Sequence, residues 1–191
     1  MGEGLSGLRP GSREDFDRLY LETHPRLVRT LTAVLGDPAT AEDCVQEAFV
    51  RAWRAWPRWR PEAPVEAWLH RIALNVAFTQ RRRLKLRQMT ERILRPSLGR
   101  ADVRVAASPL REALARLPPR ETAAVMLRYY HGYSRAETAG ILGLTERAVS
   151  LRLARAQAFL IRELGEDWAE NRSSLHPAGG SAVPLDGDTH G

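Results

Sequence analysis

Cysteine occurs once in these 191 residues, at Cys44, which excludes an internal disulfide framework and any zinc site built from several thiolates. The five histidines, His24, His70, His131, His176 and His190, are scattered without metal-ligand spacing, so neither a metal nor any other cofactor is expected. Alternating runs of β-branched residues are missing, which argues against a sheet protein. No stretch of about eighteen uninterrupted apolar residues exists, and the opening MGEGLSGLRPGSRED lacks the apolar core of a signal peptide. A cytoplasmic protein without membrane insertion is expected. No Gly-rich phosphate loop, paired-carboxylate constellation or nucleophile–histidine set is present, so the chain does not read as an enzyme. Lysine is almost absent too: of 29 basic residues only Lys85 is one.

What is there is helical rhythm. The stretch from Ser134 to Leu164, SRAETAGILGLTERAVSLRLARAQAFLIREL, reads as two helices broken at one glycine. Ser134 with Glu137 makes a capping-box start, Gly143 a left-handed stop, and Thr145 the cap of a second, longer helix. On that helix Val149, Leu153, Ala156 and Leu160 share one narrow face, leaving Arg147, Ser150, Leu151, Ala154, Arg155 and Ala158 pointing away. This is a helix-turn-helix, and its second face can enter a DNA major groove. Two amphipathic helices joined at glycine also occur in proteins that never touch DNA. The formal net charge of +6 and a pI near 10.3 suit a polyanionic partner. Heavy use of Ala, Arg, Pro and Gly also fits biased coding, so charge alone does not select that partner.

The length allows two small domains with a linker, and the pattern divides the chain that way into an all-α fold. The first domain is drawn over 13–83. Phe16, Leu19, Tyr20, Leu27, Val28, Leu31 and Leu35 make a helical stripe interrupted by Pro25 and stopped by Gly36, hence a bent helix or two short ones. Asp37-Pro38 and Thr40 open a second helix with Ala41, Val45, Ala48, Phe49, Ala52 and Trp56 on its apolar face. Opposite lie Asp43, Gln46, Glu47, Val50, Arg51 and Arg54, which is either a protein-binding face or a solvated surface.

The segment PRWRPEAPVEA holds three prolines and is expected to be a constrained loop. A third helix then runs from about Val65 through Arg81, Arg82 and Arg83. Val65, Trp68, Leu69, Ile72 and Val76 form its buried face, while Leu74 and Phe78 either pack on the first helix or wait for a ligand such as unstacked bases. Tryptophans and arginines beside the loop are either core with a solvated rim or the stacking surfaces and cations that single-stranded nucleic acid requires. Residues 84–108 carry no sustained apolar face and read as a basic linker with a helical start. The second domain spans 109–164: a short helix to Leu117, a break at Pro118-Pro119, a helix through Tyr130, then the helix-turn-helix. The Gly/Pro/Ser-rich residues 165–191 read as a disordered tail.

Three stretches, GDPATAEDCVQEAFVRAW, AWLHRIALNVAFTQRRR and ALARLPPRETAAVMLRYYHGYSRAETAGILGLTERAVSLRLARA, resemble in order and separation a bacterial RNA polymerase sigma factor of the extracytoplasmic-function type. The resemblance implies that the domains are sigma regions 2 and 4, and that the chain directs core polymerase to promoters and starts transcription. Asp43, Gln46, Glu47 and Val50 would then dock on the clamp coiled coil of the largest polymerase subunit. Arg60, Trp68, His70, Arg71, Asn75, Arg81 and Arg82 would hold the −10 strand. Arg147, Ser150, Leu151, Arg152, Ala154 and Arg155 would read the −35 duplex, with Arg152 towards the flank. The implied partners are core polymerase (clamp and flap) and promoter DNA, with an anti-sigma factor as a further partner the family allows. The chain departs from the family pattern at Cys44, at Thr79 where aspartate is common, at Ser150-Leu151 in place of a basic-polar pair, and in its basic linker. A stand-alone helix-turn-helix regulator acting as a dimer is the alternative.

Overall fold

The computed structural model describes residue 5 and residues 7–60, 64–94 and 108–165. Of the tail expected at 165–191, residues 166–191 lie outside the described residues, as do the linker residues 95–107. Among the described residues there is no strand, as the absence of alternating patterns implied.

Three long helices build the first module. Helix α1, Arg13–Leu35, starts at Ser12, whose Oγ accepts from the Asp15 amide, and ends at Gly36 in the left-handed conformation at φ 79°, where the amide returns to Thr32 O. It runs unbroken through Pro25. The carbonyl that proline leaves without a donor belongs to Leu21, on the exposed side of the helix, where water can satisfy it. Helix α2, Pro38–Ala55, is capped by Asp37 and has proline in its first turn, the order in which these residues suit a helix start. A 3₁₀ turn, Trp56–Arg58, follows. Trp56 is fully buried, and its indole N–H donates to Ser12 O at 2.9 Å, fastening the end of α2 to the start of α1.

Helix α3 spans Val65–Leu94, well past the boundary expected at 83. Residues 84–94 are rich in Leu, Arg, Lys, Gln, Met and Glu, all good helix formers, and no breaker intervenes before Pro96. Propensity carries the helix on where the apolar face has faded.

The second module comprises α4 (Pro109–Arg116), α5 (Pro119–Val125), a π turn (Met126–Tyr130), α6 (Arg135–Leu142) and α7 (Glu146–Leu164). The capping box of Ser134 and Glu137 is fully formed, Gly143 is left-handed at φ 65°, and Thr145 Oγ1 accepts from the Ala148 amide. The helix-turn-helix is therefore built as its sequence implied. The π turn, closed by the His131 amide on Met126 O at 3.0 Å, had no visible signal.

The two modules pack on each other, α1 against α4 and α5 and α3 against α6. Hence α3 is buried on two sides: Leu69 and Ala73 are sealed, and so are Leu74 and Ala77.

Candidate nucleic-acid and protein interfaces

The outer side of α2 carries Asp43, Gln46, Glu47 and Val50, all exposed, because Ala41, Val45, Ala48 and Ala52 take the buried side. Glu47 accepts from Arg51 Nε at 2.7 Å one turn on, an exposed pair that orients the carboxylate but adds little stability. Trp53 continues this surface at 45% exposure, its ring 5.0 Å from Phe16. Sequence reading missed it. The available signal was its position two helical turns beyond Gln46, on the polar side of the helix where a core tryptophan has no reason to be.

Cys44, beside Asp43 and Glu47, is buried. Burial, and then the two carboxylates, push its thiol upward, so the reactive thiolate is disfavoured and the residue packs as a small apolar group.

At the other end of the first module three tryptophans cluster. Trp59 stacks on Trp56 at 5.1 Å and 11°, and Trp68 lies 6.3 Å from Trp59. Trp56 belongs to the core, whereas Trp59 and Trp68 are half-buried and keep ring surface open. From Trp68 an exposed stripe continues along α3 through Arg71, Asn75 and Arg82, which fall within about 60° of one another on the helix. Arg60 is exposed just before the proline-rich segment.

Two residues expected on this surface are elsewhere. His70 is only 4% exposed, because it points at the second module, where its Nε2 lies 3.1 Å from His131 Nε2. Arg81 falls on the same side of α3 as His70, is half-buried, and donates from Nη1 to Val34 O at 2.8 Å. It thereby serves the orphan carbonyls at the end of α1. Both point away from the Trp68–Arg82 stripe, and neither is presented to a strand lying there.

On α7 the residues Arg147, Ser150, Leu151, Ala154 and Arg155 are exposed on one face, opposite Val149, Leu153, Ala156 and Leu160. Arg152 differs. It is half-buried and its Nε is enclosed without a hydrogen-bond partner, so its stem packs beside the core. The helix is anchored on its inner side by Gln157, which donates to the Tyr129 hydroxyl at 2.6 Å, and by an ion pair between Glu163 and Arg116 of α4. A rigidly seated helix whose free face carries Arg147 and Arg155 and no acid among these five residues can enter a major groove.

Among the described residues no group of three or more His, Cys, Asp or Glu could hold a metal ion, and no helix is long and apolar enough to cross a membrane.

Known proteins share this architecture. Residues 19–87 match the Sigma-70 region 2 family and residues 108–160 the Sigma-70 region 4 family. The ECF RNA polymerase sigma factor SigM of Mycobacterium tuberculosis is 36% identical over 156 residues, covering 81% of this chain and 80% of SigM. SigL of the same organism is 34% identical over 162 residues, covering 77% and 89%. Among solved structures, the sigma factor RpoE in complex with the anti-sigma factor NepR from Bartonella quintana superposes with a TM-score of 0.67 at 23% identity, covering 81% of this chain and 99% of that one. CnrH in complex with the cytosolic domain of CnrY gives 0.61 at 27% identity, covering 82% and 92%. With both sigma regions matched in order and relatives this similar along most of their length, the chain belongs to the ECF RNA polymerase sigma factors, the subunits that direct polymerase to promoters.

Proposed function

We propose that this sigma factor uses three separate surfaces: the outer side of α2 for core polymerase, the Trp59–Trp68 cluster with Arg71, Asn75 and Arg82 for the −10 strand, and the outer face of α7 for the −35 duplex. One observation carries the reading: an acidic-glutamine face and a basic recognition face sit exposed on different helices of one chain, each opposite its own buried stripe. Asp43, Gln46, Glu47 and Val50, extended by Trp53, meet the clamp coiled coil of the largest subunit; region 4 meets the flap. Opened −10 bases stack on the tryptophans while Arg71 and Arg82 neutralise phosphates, and this binding offsets the few kcal/mol that each unstacked step costs. Arg155 and Ser150 supply hydrogen bonds in the −35 major groove, and Leu151 offers an apolar contact suited to a thymine methyl.

In this reading the modules span 13–94 and 109–164, and the chain contributes binding energy in the cytoplasm while polymerase performs the chemistry. An anti-sigma factor is a further partner in this reading, as NepR is for the sigma factor RpoE in the complex whose fold this chain shares. A stand-alone dimeric regulator leaves the α2 face without a role. The test is transcription in vitro from a promoter library with purified core polymerase. Transcripts that depend on this chain and share upstream and −10 motifs are expected; transcripts unaffected by Glu47→Arg and Arg155→Ala together overturn the assignment.

A further inference from the structure

The seam between the modules is closed by a chain of hydrogen bonds that is saturated with protons. His70 of α3 lies against Glu66 O through Nδ1 at 2.7 Å. A carbonyl only accepts, so Nδ1 carries the hydrogen and Nε2 is left as an acceptor. Thr30 of α1 sends its hydroxyl hydrogen to Arg26 O at 3.0 Å, so its oxygen accepts in turn. His131, at the end of the π turn, therefore donates its one Nε2 hydrogen, shared between Thr30 Oγ1 at 2.7 Å and His70 Nε2 at 3.1 Å. Tyr133 closes the site from the second module with its hydroxyl 3.1 Å from His70 Nδ1.

A second proton on His70 finds no acceptor while His131 keeps its hydrogen on Nε2. It would meet the Nε2 hydrogen of His131 head-on, and it would bury a cation. Nor do the surrounding charges welcome it. From α1, Arg26 repels it, and Arg29 adds a cation bonded to the Tyr130 hydroxyl of the π turn. Glu66 on α3 is itself pushed up by burial and gains a proton as pH falls. Tyr133 is pushed far up by burial, with Glu66 and then Glu137 of α6 adding to it, so its hydroxyl stays neutral.

We propose that the His70–His131 contact, braced by Thr30 and Tyr133, is a proton-sensitive latch that holds the second module shut on the first and releases it when His70 is protonated. The latch acts within the chain and goes beyond the polymerase and promoter contacts proposed above.

Burial draws His70 from 6.5 down to about 4 in the closed chain, while exposure on opening restores the ordinary value. The open state therefore binds the extra proton, and closure weakens as pH falls from about 6.5 towards 4. The full chain, carrying Cys44→Ala and fluorophores at cysteines replacing the exposed Ala39 and Ala115, reads the inter-module distance. The closed-to-open ratio is expected to fall about tenfold between about pH 7.5 and 5.5, with the far-ultraviolet circular dichroism unchanged. His70→Gln should abolish this pH dependence. His131→Ala, at a half-buried position of the second module alone, should flatten it too, and decides the matter should His70→Gln fail to fold. A ratio independent of pH, a wild-type slope in the folded His70→Gln or in His131→Ala, or helix loss in step with opening each overturns the latch.

Discussion

The guanidinium of Arg120 lies 5.1 Å from the centre of the Phe78 ring, so a cation of α5 covers an aromatic of α3. Phe78 thus has a use that neither expectation for it included: it belongs to the seam between the modules. A partly exposed cation–π contact contributes about 0.5–1 kcal/mol. Arg120→Ala should accordingly lower the closed-to-open ratio by about two- to fivefold, measured by the same inter-module distance. Its pH slope should match wild type, because His70 and His131 are untouched.

Glu47→Arg should abolish binding to core polymerase in a pull-down while leaving the helical circular dichroism and melting behaviour close to wild type. The side chain is exposed and its pair with Arg51 is a surface contact, so stability should change by less than about 1 kcal/mol. A reversed charge at the centre of an acidic docking face introduces repulsion where complementarity is needed. Retained binding would remove α2 as the docking helix.

How far the residues disclosed all this depends on what kind of information each feature needs. Ser134, Glu137, Gly143 and Thr145 act within one or two turns of themselves, so the helix-turn-helix was readable from their order alone. The buried stripes of α2 and α7 were equally readable, because period and chemistry agree. His70 was not: on α3 it looks like a polar residue beside an exposed stripe, and only His131, 61 positions away, makes it interior. Arg81 likewise reads as one of three cations until the end of α1 is seen to need a donor. The reach of α3 to Leu94 came from propensity without amphipathicity, a signal that the fading apolar pattern concealed.

Trp68→Ala should weaken binding of the holoenzyme to a pre-melted −10 strand by about 1–3 kcal/mol, the usual contribution of one stacked base. Binding to a fully duplex −35 fragment should stay unchanged. Trp56→Ala, by contrast, should destabilise the whole first module by about 3–5 kcal/mol, because that ring is fully buried. Competition with a fluorescent single strand, alongside thermal melts, separates the two effects. Equal loss of melting temperature in both variants would return Trp68 to a purely packing role.

Arg155 and Arg152 stand three positions apart on α7 yet should behave differently in salt. Arg155 is exposed on the outer face and Arg152 is half-buried beside the core. A cation that neutralises a phosphate releases condensed counterions, so losing it should reduce the slope of log K against log salt by about 1. Arg155→Ala should show that reduction in holoenzyme binding to duplex carrying the −35 element. Arg152→Ala should leave the slope near wild type and lower the melting temperature instead, since it removes a packed stem. Titrations of both variants across a range of salt, with melting curves on the same samples, check the pair. The opposite assignment of the two effects would mean that α7 meets DNA on the flank rather than on the face directed away from its core.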